Sequence, residues 1–203
     1  MPDSTSDEIL MAAYQAGNQA AFTELFERHS GSVFGFLARR LPDRSRVEDL
    51  YQEAFLRVHR ARHGYDTGRP FRAWLFAIVH NLLNDTLREN ARTPRSDSVG
   101  DLPVGSANDA MTADAPAPVV AREERSPEDV ASARESTRAL SAALRALPDD
   151  EATVLILARL EGLSYDDIGL VIGRSAAATK QLAYRALKRV RADMVAAGHG
   201  EDS

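Results

Sequence analysis

The sequence predicts an all-α protein of two small helical domains joined by a long flexible linker, on three observations. Apolar residues recur at three- and four-residue spacing through both ends of the chain, with no strand-like alternation anywhere. Residues 93–130 are rich in Pro, Ala, Ser, Asp and Gly and carry neither period. Beyond them, two short helical units meet at a glycine, and the second unit is basic.

The first block, residues 8–92, opens with an apolar face on Phe22, Leu25, Phe26, Val33 and Leu37, interrupted near Ser30-Gly31-Ser32. Ser45-Arg46-Val47-Glu48 has the form of a capping box for a helix over 46–62. Val47, Leu50, Tyr51, Ala54, Phe55 and Val58 give that helix its apolar side. His63 to Arg69 reads as a loop. Pro70 then suits the first turn of a helix over 70–90 that buries Phe71, Trp74, Leu75, Ile78, Val79 and Leu82.

The second block, 131–197, is expected to hold helices near 132–146, 149–160, 164–172 and 176–195, with Asp149 or Asp150 capping the second. Ser164 and Asp167 form an acidic variant of the helix-start signal, Gly173 ends that helix, and Ser175 caps the next. From Arg174 to Arg191 there are six basic residues and no acidic one. Such a pair of helices is the pattern of a helix-turn-helix whose second helix enters a DNA major groove.

Bulk properties narrow the function. The 203 residues suffice for two small cores. No apolar run approaches membrane-spanning length, so no membrane insertion is expected. The acidic, polar N-terminus is unlike a secretory signal, which makes a cytoplasmic location the expectation. The absence of cysteine excludes disulfides and thiol catalysis. The five histidines have no metal-ligand spacing, and no phosphate-cradling glycine loop is present. The reading is therefore of a non-enzyme with no cofactor and no metal. The net charge of −5 belongs to residues 93–130, where eight acids face three arginines. Local basic patches therefore remain available for DNA.

Two further faces stand out. Opposite the apolar side of helix 70–90 lie His80, Asn81, Asn84, Asp85 and Arg88. Asn and Arg have the geometry to read base edges, although a wet surface explains the pattern equally well. In the neighbouring loop, Tyr65 is an aromatic on which an unstacked base can rest. Helix 46–62 carries Glu48, Asp49, Gln52 and Glu53 away from its apolar side, as a solvated face or a protein-docking one.

Val47 to Val58, Tyr65-Asp66 and Arg69 to Arg88 together resemble region two of bacterial sigma factors of the extracytoplasmic function (ECF) type. Ala146-Leu147-Pro148, Glu161 to Gly169 and the basic helix after them resemble region four of the same family. The resemblance implies an alternative sigma factor that binds core RNA polymerase through the β′ clamp and β flap and directs it to promoter DNA.

It assigns docking to Glu48, Asp49, Leu50, Gln52, Glu53 and Phe55. It assigns the minus-ten element to His63, Tyr65, Asn81, Asn84, Asp85 and Arg88. The minus-thirty-five element falls to Arg174, Ser175, Ala177, Lys180, Gln181, Tyr184, Arg185 and Lys188. In this group Arg and Lys hold phosphates, while Gln181 or Lys180 touches base edges.

Two features depart from the family pattern. Ala176-Ala177-Ala178 is a small opening for a recognition helix, which shifts selectivity toward backbone contacts and DNA shape. The linker is long and acidic, either a nucleic-acid mimic within the polymerase or a brake on DNA binding by the free protein. Many family members are held by an anti-sigma factor, a partner the sequence leaves open. The rival reading is a stand-alone helix-turn-helix regulator, which gives helices 46–62 and 70–90 no role.

Overall fold

The computed structural model describes residues 5–92 and 127–199, and every regular element within them is helical. The first unit comprises α1 (Asp7–Gln15), α2 (Gln19–Arg40), α3 (Arg44–Ala61) and α4 (Phe71–Arg92), with one 3-10 turn at Arg62–Gly64. The second comprises α5 (Pro127–Ala146), α6 (Asp149–Arg159), α7 (Tyr165–Ile172) and α8 (Ala176–Ala196). The expected linker lies outside the described residues except for its last four positions, which are helical because α5 starts at Pro127. Proline suits a helix start, where its missing N–H leaves no intrahelical bond unmade.

Local chemistry accounts for the starts. Ser6 Oγ accepts from Ile9 N, and Asp7 and Glu8 sit in the first turn of α1, at the positive end of its dipole. Asn18 caps α2 by accepting from Ala20 N at 3.0 Å. Helix α2 runs unbroken through Ser30-Gly31-Ser32, contrary to the interruption expected there. A mid-helix glycine costs about 1 kcal/mol, and burial of Val33, Phe36 and Leu37 outweighs that.

Two caps differ from expectation. Helix α3 is capped by Asp43, which accepts from Ser45 N at 3.0 Å and from Ser45 Oγ at 2.8 Å. The carboxylate outcompetes the Ser45 hydroxyl because it also carries charge at the helix N-terminus. Asp149 and Asp150 do not cap α6; with Glu151 they form its first turn, and Pro148 precedes them without a side-chain cap.

The helix-turn-helix forms as expected. Ser164 Oγ accepts from Asp167 N at 3.1 Å, and Ser175 Oγ accepts from Ala178 N at 3.3 Å. Gly173 takes a left-handed φ of 67°, ending α7. The crossing is close: a Cβ on Gly169 would meet Arg174 O at 2.5 Å.

One apolar cluster runs through both units. Leu25, Phe36, Leu37, Val47, Leu75, Phe76 and Val79 fill the first, and Ile156, Leu157, Ile168, Leu182 and Ala186 fill the second. The units also pack on each other, α4 against α7 and α2 against α5.

Gly169→Ala should destabilise the protein by about 1–3 kcal/mol through overpacking against the Arg174 carbonyl. Urea unfolding followed by circular dichroism measures this; an unchanged midpoint would refute the tight crossing.

Candidate polymerase and nucleic-acid interfaces

The outer face of α3 presents Glu48, Asp49 and Gln52 to solvent, with Glu53 half-buried. Arg44 Nε donates to Glu48 at 2.9 Å, and Arg57 Nε donates to Glu53 at 3.0 Å. Of the six docking candidates, Leu50 and Phe55 are buried, so they hold the helix in place instead of meeting a partner. Phe55 lies edge-on to Phe26 and Tyr51. Leu56, 49% exposed, is an apolar residue on the open side of α3 that the sequence reading did not single out.

The loop after α3 is fastened by α1, to which the sequence reading gave no role. Gln15 Nε2 donates to Arg62 O at 2.7 Å and to Tyr65 O at 2.9 Å. Tyr14 hydrogen-bonds His59 at the end of α3. Glu8 Oε1 accepts from Phe71 N at 3.0 Å, capping the first turn of α4 from α1. Asp7 binds His29 at 2.7 Å and Arg28 at 2.9 Å, fixing α1 on α2. The available signal was Ser6-Asp7-Glu8 followed by Leu10, Met11 and Tyr14, a capped amphipathic turn.

Within this loop the structure corrects the place of Tyr65. The ring is 5% exposed, packed against Phe71 and Trp74, and its hydroxyl donates to Arg69 O. Burial pushes the phenol up to about 12. The ring satisfies the local core and is not free to stack on a base; only His63 of the two loop candidates is exposed.

The polar face of α4 is divided. Asn81, Asp85 and Arg88 are exposed, whereas His80 is buried and Asn84 half-buried beneath α6. Asn84 Nδ2 donates to His80 Nε2 at 3.0 Å, and His80 Nδ1 lies 3.2 Å from Thr153 Oγ1. This arrangement suits the neutral ring with its proton on Nδ1. Burial holds the imidazole below its ordinary pKa, against an opposing pull from Asp150.

On α8, Ala177, Lys180, Gln181, Tyr184 and Arg185 line an open depression of about 550 Å³, with Tyr184 71% exposed. Lys188 is also exposed, and Ser175 serves as the cap. The arginines are committed differently from the lysines. Arg174 makes two bonds to Asp150 Oδ2, at 2.8 and 3.0 Å. Arg185 and Arg189 lie 3.7 and 3.3 Å from the carboxylate of buried Glu151.

An acidic helix face on one unit and a helix-turn-helix with a lysine-lined groove face on the other define a two-module, all-helical transcription protein. Residues 25–93 match the family model "Sigma-70 region 2", and residues 137–190 match "Sigma-70, region 4". The chain is 33% identical over 181 residues to RNA polymerase sigma factor CarQ of Myxococcus xanthus, covering 89% of this chain and 93% of that protein. It is 26% identical over 191 residues to the ECF RNA polymerase sigma-E factor of Escherichia coli K12, covering 94% and 95%.

Among solved structures, CnrH in complex with the cytosolic domain of CnrY matches with a TM-score of 0.65 at 26% identity, covering 95% of this chain and 99% of that one. The sigma factor RpoE of Bartonella quintana, bound to the anti-sigma factor NepR, matches with a TM-score of 0.62 at 20% identity, covering 86% and 96%, a likeness of fold. The chain belongs to the ECF family of RNA polymerase sigma factors. No helix among the described residues is long and apolar enough to cross a membrane.

The fastening by α1 is pH-sensitive. The hydrogen bond from Phe71 N lowers the Glu8 pKa from its ordinary 4.5, and the bond to His29 lowers that of Asp7 from 3.8. Both groups therefore add stability that is complete above those ordinary values and is lost as pH falls through the lowered ones. Asp7→Asn/Glu8→Gln should flatten the acid limb of a stability-against-pH curve; a limb of unchanged steepness would contradict these bonds.

Proposed function

We propose that this alternative sigma factor docks on the β′ clamp of core polymerase through Glu48, Asp49, Gln52 and Glu53 of α3, with exposed Leu56 as an apolar anchor. Acidic side chains around one apolar residue suit a basic helical partner surface. On α4, Asn81, Asp85 and Arg88 meet the minus-ten element, joined by Asn84 once the second unit moves away, and His63 approaches from the loop. Helix α8 reads the minus-thirty-five element through Lys180, Gln181, Tyr184 and Lys188. Region four also meets the β flap.

The two modules supply binding energy and strand separation, and nucleotidyl transfer belongs to the polymerase, so the protein itself catalyses nothing. The work is cytoplasmic, where core polymerase and promoter DNA are found. An anti-sigma factor is a fitting partner for a member of this family.

The observation that carries this reading is the order of the two family matches, each with exposed polar side chains on its reading helix. The rival regulator reading gains nothing, because it leaves the region-two match without a purpose.

Run-off transcription with core polymerase on a genomic fragment library tests it. Glu48→Lys and Asp49→Lys should abolish output and core binding together. Lys180→Ala should leave core binding intact and lower the slope of promoter affinity against salt by about one unit, as loss of one phosphate contact does. Core binding that survives both charge reversals would remove α3 as the docking surface.

A further inference from the structure

Helix α1 lies outside residues 25–93, the stretch that matches the region-two model, yet it shapes the loop that follows α3. Gln15, the last residue of α1, turns its side-chain amide toward that loop. Its Nε2 donates to Arg62 O at 2.7 Å and to Tyr65 O at 2.9 Å, which uses both amide protons. The two carbonyls bracket His63 and Gly64. The backbone closes the same turn with a bond from Tyr65 N to Arg62 O of 3.2 Å. A 3-10 turn of this kind has poorer hydrogen-bond geometry than an α-helix, so the two bonds from Gln15 weigh heavily in its shape. Next to Gln15, Tyr14 stacks on Phe22, hydrogen-bonds His59 and has the Arg62 guanidinium 5.8 Å from its ring centroid.

The remainder of the loop is tied more locally. Gly68 N donates to Asp66 Oδ1 at 2.9 Å, Arg69 N donates to Asp66 O at 3.0 Å, and the Tyr65 hydroxyl donates to Arg69 O. With Glu8 on Phe71 N, α1 grips both ends of the loop. The outer side stays open: His63 is exposed, and a Cβ on Gly64 would meet no atom within 4 Å. The main chain is thus held from within while the turn leaves room outside for a ligand.

We propose that Gln15 is a positioning residue for base selection at the minus-ten element. It touches no nucleotide; it fixes the Arg62–Tyr65 turn from which His63 projects. The inference rests on the role proposed for this loop at that element. A loop held in one shape before DNA arrives meets the correct base without a further ordering cost, whereas a loose loop adapts to wrong bases as readily.

The test uses the full chain assembled with core polymerase and a random-sequence single-stranded DNA pool whose bound fraction is sequenced. Gln15→Met keeps the length of the side chain and removes its donors. Gln15→Glu keeps the shape and, ionised, has no donor either. Each should flatten base preference about tenfold at one position of the bound pool and leave core binding unchanged. A general loss of stability would lower binding without confining the effect to one position. Amide hydrogen exchange of the free chain by NMR supplies a second reading. The N–H groups of Tyr65, Gly68 and Arg69 should exchange about tenfold faster in both variants, while those of α8 keep their rates. Circular dichroism melting checks that each variant folds.

Unchanged exchange in both variants would overturn the fastening, whatever the loop binds. A Gln15→Glu chain matching the wild type in both readings would overturn the role of the two bonds. His63→Ala separates positioning from reading. A preference profile that His63→Ala alters and the Gln15 variants leave intact would overturn the positioning role and keep the loop as a reader. A profile that none of the three alters would overturn the loop's place at the minus-ten element, and the positioning role with it.

Discussion

Three consecutive carboxylates on the first turn of α6 face cations from α8, from the turn before it and from the first unit. Asp149 takes Arg40, Asp150 takes Arg174 and lies within reach of His80, and Glu151 faces Arg185 and Arg189. The positive end of the α6 dipole favours negative charge there, which lets three acids crowd into one turn. Glu151 is only 4% exposed, and the largely exposed Arg185 and Arg189 approach its carboxylate at 3.7 and 3.3 Å. Burial alone would pull the Arg40 guanidinium down in pKa, and Asp149 opposes that pull. The same turn therefore braces the recognition helix and ties the units together.

That bracing bears on the DNA-reading role proposed for α8. Arginines turned toward Asp150 and Glu151 have part of their charge offset before any phosphate arrives. The exposed lysines at 180 and 188 carry more of the free field of the helix. With Ala176 and Ala177 at its start, the helix can bring backbone N–H groups close to a phosphate. In the role proposed for α8, position is then fixed by main chain and lysine, and Gln181 and Tyr184 are left to discriminate.

Much of this was legible in the sequence because short-range rules govern it. The apolar stripes of α3, α4 and α7, the Ser164 and Ser175 caps and the Gly173 stop all follow from spacing and local hydrogen bonds. What escaped was long-range. Glu8 caps a helix 63 residues away, and Gln15 fastens a loop 47 to 50 residues away, bonds that no window of sequence contains. Tyr65 looked like an open aromatic because its loop is polar, yet Phe71 and Trp74 fold over it. Leu50 and Phe55 were drawn into the docking set by resemblance, although their own periodicity placed them inside. His80 and Asn84 lie on the polar side of α4 by spacing; only the packing of the second unit covers them.

The connection between the units sets how strong their contact has to be. A linked pair meets at an effective concentration on the order of millimolar, so an interface whose intrinsic dissociation constant is tenfold below that keeps the units closed about nine-tenths of the time. A partner that binds only the open form then loses about tenfold in apparent affinity, which core polymerase and duplex DNA acting together readily overcome. The buried apolar cluster runs through both units, and the Arg40–Asp149 and Arg72–Glu161 pairs and the His80–Thr153 contact lie beside it. Opening must also be large: two promoter elements about two duplex turns apart lie roughly 70 Å from each other, beyond what packed units span. In the proposed role, a chain that serves both promoter elements therefore has to part these two units.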